Sequence, residues 1–132
     1  MELFHQVYAE TGINYYILFS LDGYDEISLT GDFTAISASE NKTYKPADFG
    51  FKNIHPGEIS GGITVKDSAT IFSNVLSGKG TKAQVNVVAA NTAFAIKCIY
   101  PGRSIEESLS IAFESIESGK AGQALKKLIA LQ

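Results

Sequence analysis

Two neighbouring carboxylates, Asp25 and Glu26, follow shortly after the apolar run Tyr15-Tyr16-Ile17-Leu18-Phe19. A buried strand that ends in adjacent acids would set oxygen donors in the crevice outside its carboxyl end, where open α/β sheets bind ligands. That is a site geometry, though an incomplete one, and without further context an Asp-Glu pair in a turn is most often solvated surface charge. Ser28, within the same pentapeptide Asp25-Glu26-Ile27-Ser28-Leu29, reads as a turn or strand-end hydrogen-bonder, because no base that could activate its hydroxyl is visible.

Other reactive residue types carry less. Gly78-Lys79-Gly80-Thr81-Lys82 has glycines and cations but neither the spacing of a phosphate loop nor a preceding strand, so it reads as a helix cap, a tight link and an N-cap. His5 and His55 have no ligand-spaced partner, which favours surface or capping roles. Cys98 has no evident activating neighbour and reads as an inert, buried thiol.

The elements that would position the acids follow from hydrophobic period. Leu3, Phe4, Val7 and Tyr8 recur at helical spacing before Thr11-Gly12, which predicts a short opening helix. Tyr15 to Phe19 predicts a strand covered on both faces, as in a parallel sheet flanked by helices. Loose alternation from Phe33 to Lys45 predicts a peripheral antiparallel hairpin. Residues 46–62, rich in Pro and Gly, read as an irregular connection.

The remainder, 63–132, reads as helical. One helix begins near Thr64, stops at Gly78 and carries Val65, Ala69, Phe72 and Leu76 on one face. A second, after Thr81, is apolar nearly all round through Val85, Val87, Val88, Phe94 and Ile96, which marks it as the core helix. Ser104 with Glu107 forms a capping box before Leu109, Ala112, Phe113 and Ile116. A last helix directs Ala121, Ala124, Leu125 and Leu128 inward, with Lys126 and Lys127 where cations suit the helix dipole.

The 132 residues are 45% hydrophobic and 19% charged, the composition of an ordinary globular protein. A net charge of −3 gives no electrostatic footprint for nucleic acid. The apolar segment Val85–Tyr100 is interrupted by Asn86, Asn91 and Lys97, so no membrane span is expected. A single cysteine and an acid near the N-terminus fit a reducing, cytoplasmic location rather than export. One mismatch stands out. A strand of the doubly covered type without a second of its kind leaves peptide groups unpaired, so its partners are expected from upstream sequence or from a second copy.

The stretch Leu21-Asp-Gly-Tyr-Asp25-Glu26-Ile-Ser28-Leu-Thr30-Gly31 resembles the carboxylate motif of the anthranilate phosphoribosyltransferases. Asp48-Phe49-Gly50, Gly61-Gly62, Gly78 to Gln84, Asn91-Thr92-Ala93 and Glu117 to Ala121 follow in that family's order, so the resemblance covers nearly the whole chain. It implies a partial phosphoribosyltransferase/nucleoside-phosphorylase-like α/β domain: one buried strand, a peripheral hairpin and a helical C-terminal half. It also implies that residues 1–132 are a single incomplete domain from the C-terminal part of a longer enzyme, with 1–45 as helix, strand and hairpin.

On that resemblance Asp25 and Glu26 bind the Mg2+ that accompanies phosphoribosyl pyrophosphate. In the family reaction the amine of anthranilate displaces pyrophosphate from the ribose, a step of tryptophan biosynthesis, in an enzyme expected to be a homo-oligomer. The family's glycine-rich diphosphate loop and anthranilate-binding residues are not in this sequence, so the isolated chain is expected to lack turnover. The alternatives are a pyrimidine-nucleoside phosphorylase fragment, disfavoured by the Asp-Glu-Ile-Ser-Leu-Thr run, and a noncatalytic module that oligomerises through an open strand edge.

Overall fold

Antiparallel pairing organises the first third of the chain. In the computed structural model, which describes residues 2–131, helix α1 (Glu2–Thr11) leads into strands β1 (Ile17–Ser20), β2 (Phe33–Ile36) and β3 (Asn41–Tyr44), which form one sheet in the order β1-β2-β3. Ile17 lies opposite Ile36 and Ser20 opposite Phe33; Phe33 in turn lies opposite Tyr44. Two single 3-10 turns, Pro46–Phe49 and Pro56–Ile59, occupy the connection to four helices, α2 (Val65–Leu76), α3 (Lys82–Ile99), α4 (Ile105–Glu117) and α5 (Lys120–Ile129). The α/β class and the order of helix, strand, hairpin and helices are as expected.

Which strand is buried differs from the expectation. β1 lies at an edge, pairs antiparallel rather than parallel, and its Ile17, Leu18 and Phe19 are only half-buried. The hairpin is not peripheral: β2 is central and all four of its residues are buried, Phe33 and Ala35 completely. The polar Thr34 does not prevent this, because its hydroxyl is hydrogen-bonded to that of Thr43 at 3.0 Å, and a buried polar group with a partner loses little. β1 is therefore not alone. The hairpin satisfies one of its edges, and the other has no strand partner among the described residues.

The core joins this sheet to α3. Ile27, Leu29, Phe33, Ala35, Ala90 and Phe94 form one buried cluster, with Tyr16, Tyr44 and Phe49 packed against it. Phe33 stacks on Phe49 at 5.6 Å and meets Phe94 edge-on at 6.0 Å between ring centroids, the arrangements that the ring quadrupole favours. α3 buries Ala83, Ala89, Ala90 and Ala93, and α4 buries Ser108, Ala112 and Ile116. Small side chains on α3 allow the close approach of its neighbours, so α3 enters the core through its alanines and Phe94, whereas Val85, Val87 and Ile96 of the expected all-round apolar surface are half-buried and Val88 is exposed.

The helix starts follow local rules. Thr64, Thr81 and Ser104 each accept a hydrogen bond from the backbone N–H three residues on, while Asp67, Gln84 and Glu107 reach back to the cap. The Thr64 hydroxyl accordingly holds the Asp67 carboxyl below its usual range. Gly78, at φ +72°, closes α2 as expected. Gly80 is small for a different reason: a Cβ there would lie 2.8 Å from Val75 Cγ2.

The apolar faces of the outer helices are less covered than their periodicity suggests. α1 buries no residue, and Leu3, Phe4 and Val7 are exposed. On α2, Val65 is 88% and Phe72 54% exposed, and Val75 is the buried residue instead. On α5, Ala124 and Leu128 face solvent while Ala121 and Leu125 are half-buried. A 3.6-residue period identifies a face that can be covered, and the cover itself is a tertiary matter. No helix among the described residues is long and apolar enough to cross a membrane.

These burials separate core from surface in a measurable way. In urea unfolding of the chain, Phe33→Ala is expected to cost about 3–5 kcal/mol, the usual range for emptying a buried aromatic site. Val65→Ala is expected to stay within about 0.5 kcal/mol, and a large loss there would contradict the exposed face of α2.

Candidate functional site

Past β1 the chain makes a tight, irregular excursion before it enters the core. Ser20 N–H donates to the Tyr24 carbonyl at 3.0 Å and Leu21 N–H to that of Asp32 at 2.8 Å, which closes the base of the loop. Asp25 and Glu26 are exposed, whereas Ile27, Ser28 and Leu29 directly after them are buried. The acids therefore stand in a loop beyond the strand, at the point where the chain dives inward.

The buried stretch is not in a sheet ladder, so side chains must satisfy its peptide groups. Ser20 Oγ donates to the Glu26 carbonyl at 2.8 Å and accepts from Ser28 N–H at 3.1 Å. The side-chain amide of Asn91 on α3 holds Ile27 at both ends: Ile27 N–H donates to Asn91 Oδ1 at 3.0 Å, and Asn91 Nδ2 donates to the Ile27 carbonyl at 2.8 Å. Ser28 Oγ is hydrogen-bonded to Ser20 Oγ at 2.9 Å and to Thr30 Oγ1 at 2.7 Å, and the Thr30 hydroxyl donates to the Asp22 carboxylate. Ser28 is thus a structural hydrogen-bonder, as its sequence context suggests.

Leu29 completes the fixation. Its φ of +61° is left-handed, a region that costs a leucine energy and persists only where the surroundings enforce it. Its side chain is fully buried in the core cluster, and its carbonyl accepts from Ile54 N–H at 3.0 Å. Burial of the side chain and capture of the carbonyl hold the turn.

Asp25 and Glu26 are treated differently from Asp22. Neither is in an ion pair among the described residues, where Lys120–Glu114 is the pair present, and it is the backbone of Glu26 that is bonded. Two hard, negatively charged oxygen groups on a fixed backbone suit magnesium, which is commonly held by one or two carboxylates together with waters and substrate phosphates. No group of three or more His, Cys, Asp or Glu among the described residues could enclose a metal. The pair could supply only part of a cation's coordination shell.

Two cavities lie elsewhere, and neither is lined by the acids. The larger, about 1120 Å³, opens between residues 50–54, the α2–α3 link and α4. The smaller, about 370 Å³, is lined by Tyr15, Tyr16, Glu40, Lys97 and Cys98 among others. In its wall Glu40 accepts hydrogen bonds from Tyr16 and Tyr44. Burial, and then the neighbouring Glu40 charge, push the Tyr16 phenol up to about 12; burial and the bond to Glu40 raise Tyr44 as well. Burial also raises the Cys98 thiol, which keeps it protonated and unreactive.

The histidines are structural. His55 Nδ1 accepts from Gly57 N–H at 3.1 Å and caps a 3-10 turn, while His5 Nδ1 is hydrogen-bonded to the Tyr15 hydroxyl at 2.8 Å. Of the residues that shape the acid loop, Ser20 and Asn91 had no functional reading in the sequence. The signals for Asn91 were a polar side chain interrupting an otherwise apolar helix and its place in the Asn91-Thr92-Ala93 motif, neither of which names a partner.

Residues 2–122 match the family described as glycosyl transferase family, a/b domain. The anthranilate phosphoribosyltransferase of Bacteroides fragilis is 44% identical over 131 residues, covering 99% of this chain and 40% of the relative. That of Flavobacterium johnsoniae is 47% identical over 126 residues, covering 96% of this chain and 38% of the relative. The chain thus spans about 40% of the length of these curated relatives. In structure it is similar to anthranilate phosphoribosyltransferase from Thermus thermophilus, with a TM-score of 0.82 at 20% identity over 98% of this chain and 40% of that one. It is also similar to the Saccharomyces cerevisiae enzyme in complex with PRPP and Mg, with a TM-score of 0.78 at 22% identity over 96% of this chain and 38% of that one. At these identities the structural likeness shows the fold.

The Tyr16–Glu40–Tyr44 cluster predicts a base-sensitive fold. A phenol whose folded pKa lies above its unfolded value of 10.0 holds its proton longer when folded, so its stabilisation is complete below pH 10 and is lost as pH rises towards 12. The urea midpoint is expected to fall across that window, and Glu40→Gln, which removes the charge, should flatten the fall; an unchanged slope would contradict the coupling.

Proposed function

The chain belongs to the glycosyl transferase family, a/b domain, and from that premise we propose that it is the C-terminal part of an anthranilate phosphoribosyltransferase. The observation that carries the proposal is identity of 44% to a curated enzyme of that name along 131 residues. The acid motif lies within this span. The reaction is transfer of a phosphoribosyl group from phosphoribosyl pyrophosphate to the anthranilate amine, with release of pyrophosphate.

In this reading Asp25 and Glu26 hold the magnesium that accompanies the phosphoribosyl donor. When bound, the ion supplies positive charge to the diphosphate leaving group and orients it. The contribution of the chain is positioning. Its exposed carboxylates are not in an ion pair among the described residues and are not turned into the core, so their charge is available to a ligand entering from outside. Ser20, Ser28 and Leu29 keep the loop backbone from relaxing when that ligand binds, and such preorganisation is a large part of electrostatic catalysis. No covalent nucleophile is required, in keeping with the structural roles of Ser28, Cys98 and the histidines.

An α/β scaffold without a glycine-rich diphosphate loop in its 132 residues is not expected to cradle the donor by itself. The isolated chain is expected to show no anthranilate-dependent release of pyrophosphate, and measurable turnover would contradict the reading. In the whole enzyme that carries this chain, Asp25→Asn with Glu26→Gln should lower kcat by roughly 10²–10³-fold, the loss typical of a removed electrostatic stabiliser. Steady-state kinetics over a magnesium titration tests this, and wild-type kinetics in the double variant would remove the role of the acids. Circular dichroism should show the fold retained, since both side chains are exposed.

A further inference from the structure

The connection between the acid loop and the rest of the molecule narrows to one side chain on α3. Ile27 is fully buried, and its N–H and carbonyl must both find partners or leave peptide groups buried and unpaired. Asn91 supplies both, at 3.0 and 2.8 Å, and its second amide hydrogen is donated to the Val87 carbonyl one helical turn back at 2.9 Å. The amide thus uses its acceptor and both donors. In effect it replaces the neighbouring strand that Ile27 does not have.

Only this side chain has the required pattern. An aspartate would turn an acceptor towards two carbonyls, a leucine of similar size offers nothing, and glutamine is one methylene longer. The bond to Val87 fixes the amide plane against its own helix, so the position of Ile27 is referred to the axis of α3. Glu26 is the preceding residue and Asp25 the one before it. Their own side chains form no ion pair among the described residues, which leaves the backbone as the element that sets where each side chain begins.

We infer that Asn91 is a positioning residue for the carboxylate pair, setting where the backbone of Asp25 and Glu26 stands relative to the core helix so that the pair can be presented to a divalent cation. The inference rests on the proposed metal role of the two acids, and its test separates the two ideas. The Asn91 amide is fully engaged by Ile27 and Val87. It acts through Ile27.

The experiment measures Mn2+ affinity by electron paramagnetic resonance in the whole enzyme, with phosphoribosyl pyrophosphate present and anthranilate absent, so that binding is read without turnover. Asn91→Leu is compared with Asp25→Asn/Glu26→Gln and with Val75→Ala, a core substitution on α2 that lowers stability away from the loop. Asn91→Ser, smaller and open to a bridging water, replaces the leucine variant if that one does not fold. The expected result is at least tenfold weaker Mn2+ binding for the Asn91 variant and for the double variant, with Val75→Ala at wild-type affinity. If the double variant weakens binding and the Asn91 variant does not, positioning through Asn91 is overturned and the acids keep their role. Equal weakening in Val75→Ala would reduce the effect to general stability and overturn the inference. Wild-type affinity in the double variant would overturn both.

Discussion

A peptide segment that is buried without belonging to a helix or a sheet must have its N–H and carbonyl groups satisfied one by one. Residues 27–29 are in that situation, and the structure around them is arranged to meet it. Ser20 at the end of β1 bonds to both Glu26 and Ser28, Asn91 bonds twice to Ile27, and Ile54 donates to the Leu29 carbonyl. These contacts tie the sheet, the core helix and the irregular connection to one short stretch. The backbone of Glu26 is held with it.

The same stretch explains how a small sheet and a set of helices share one core. Ile27 and Leu29 pack with Phe33 and Ala35 of β2 and with Ala90 and Phe94 of α3, so a loop supplies the layer between strand and helix that a further strand would otherwise fill. A leucine held at φ +61° is tolerated there because burying its side chain outweighs a backbone cost of order 1–3 kcal/mol. The chain stores strain next to the residues with chemical potential rather than at its periphery.

Charge is handled in a complementary way. Asp67 and Glu107 are used up in capping boxes, Asp22 receives the Thr30 hydroxyl, Glu40 takes two tyrosine phenols, and Glu114 is paired with Lys120. Asp25 and Glu26 have no such partner among the described residues, and neither do Glu2, Glu10, Asp32 and Glu117; what sets the adjacent pair apart is the hydrogen-bonded, buried backbone that follows it.

Much of this was legible in the letters. The capping box at Ser104 depends on residues three apart, the helix starts at Thr64 and Thr81 on a capping residue before an apolar run, the hairpin on alternation over a few positions, and the acid motif on contiguous residues, so each is carried by local sequence. The burial of β2 rather than β1, the exposure of Val65 and Phe72, and the grip of Asn91 on Ile27 across 64 positions were decided by tertiary structure. Periodicity states which face of an element is apolar, whereas coverage of that face and the partner of a buried peptide group depend on which distant segments meet, and no local pattern encodes that meeting.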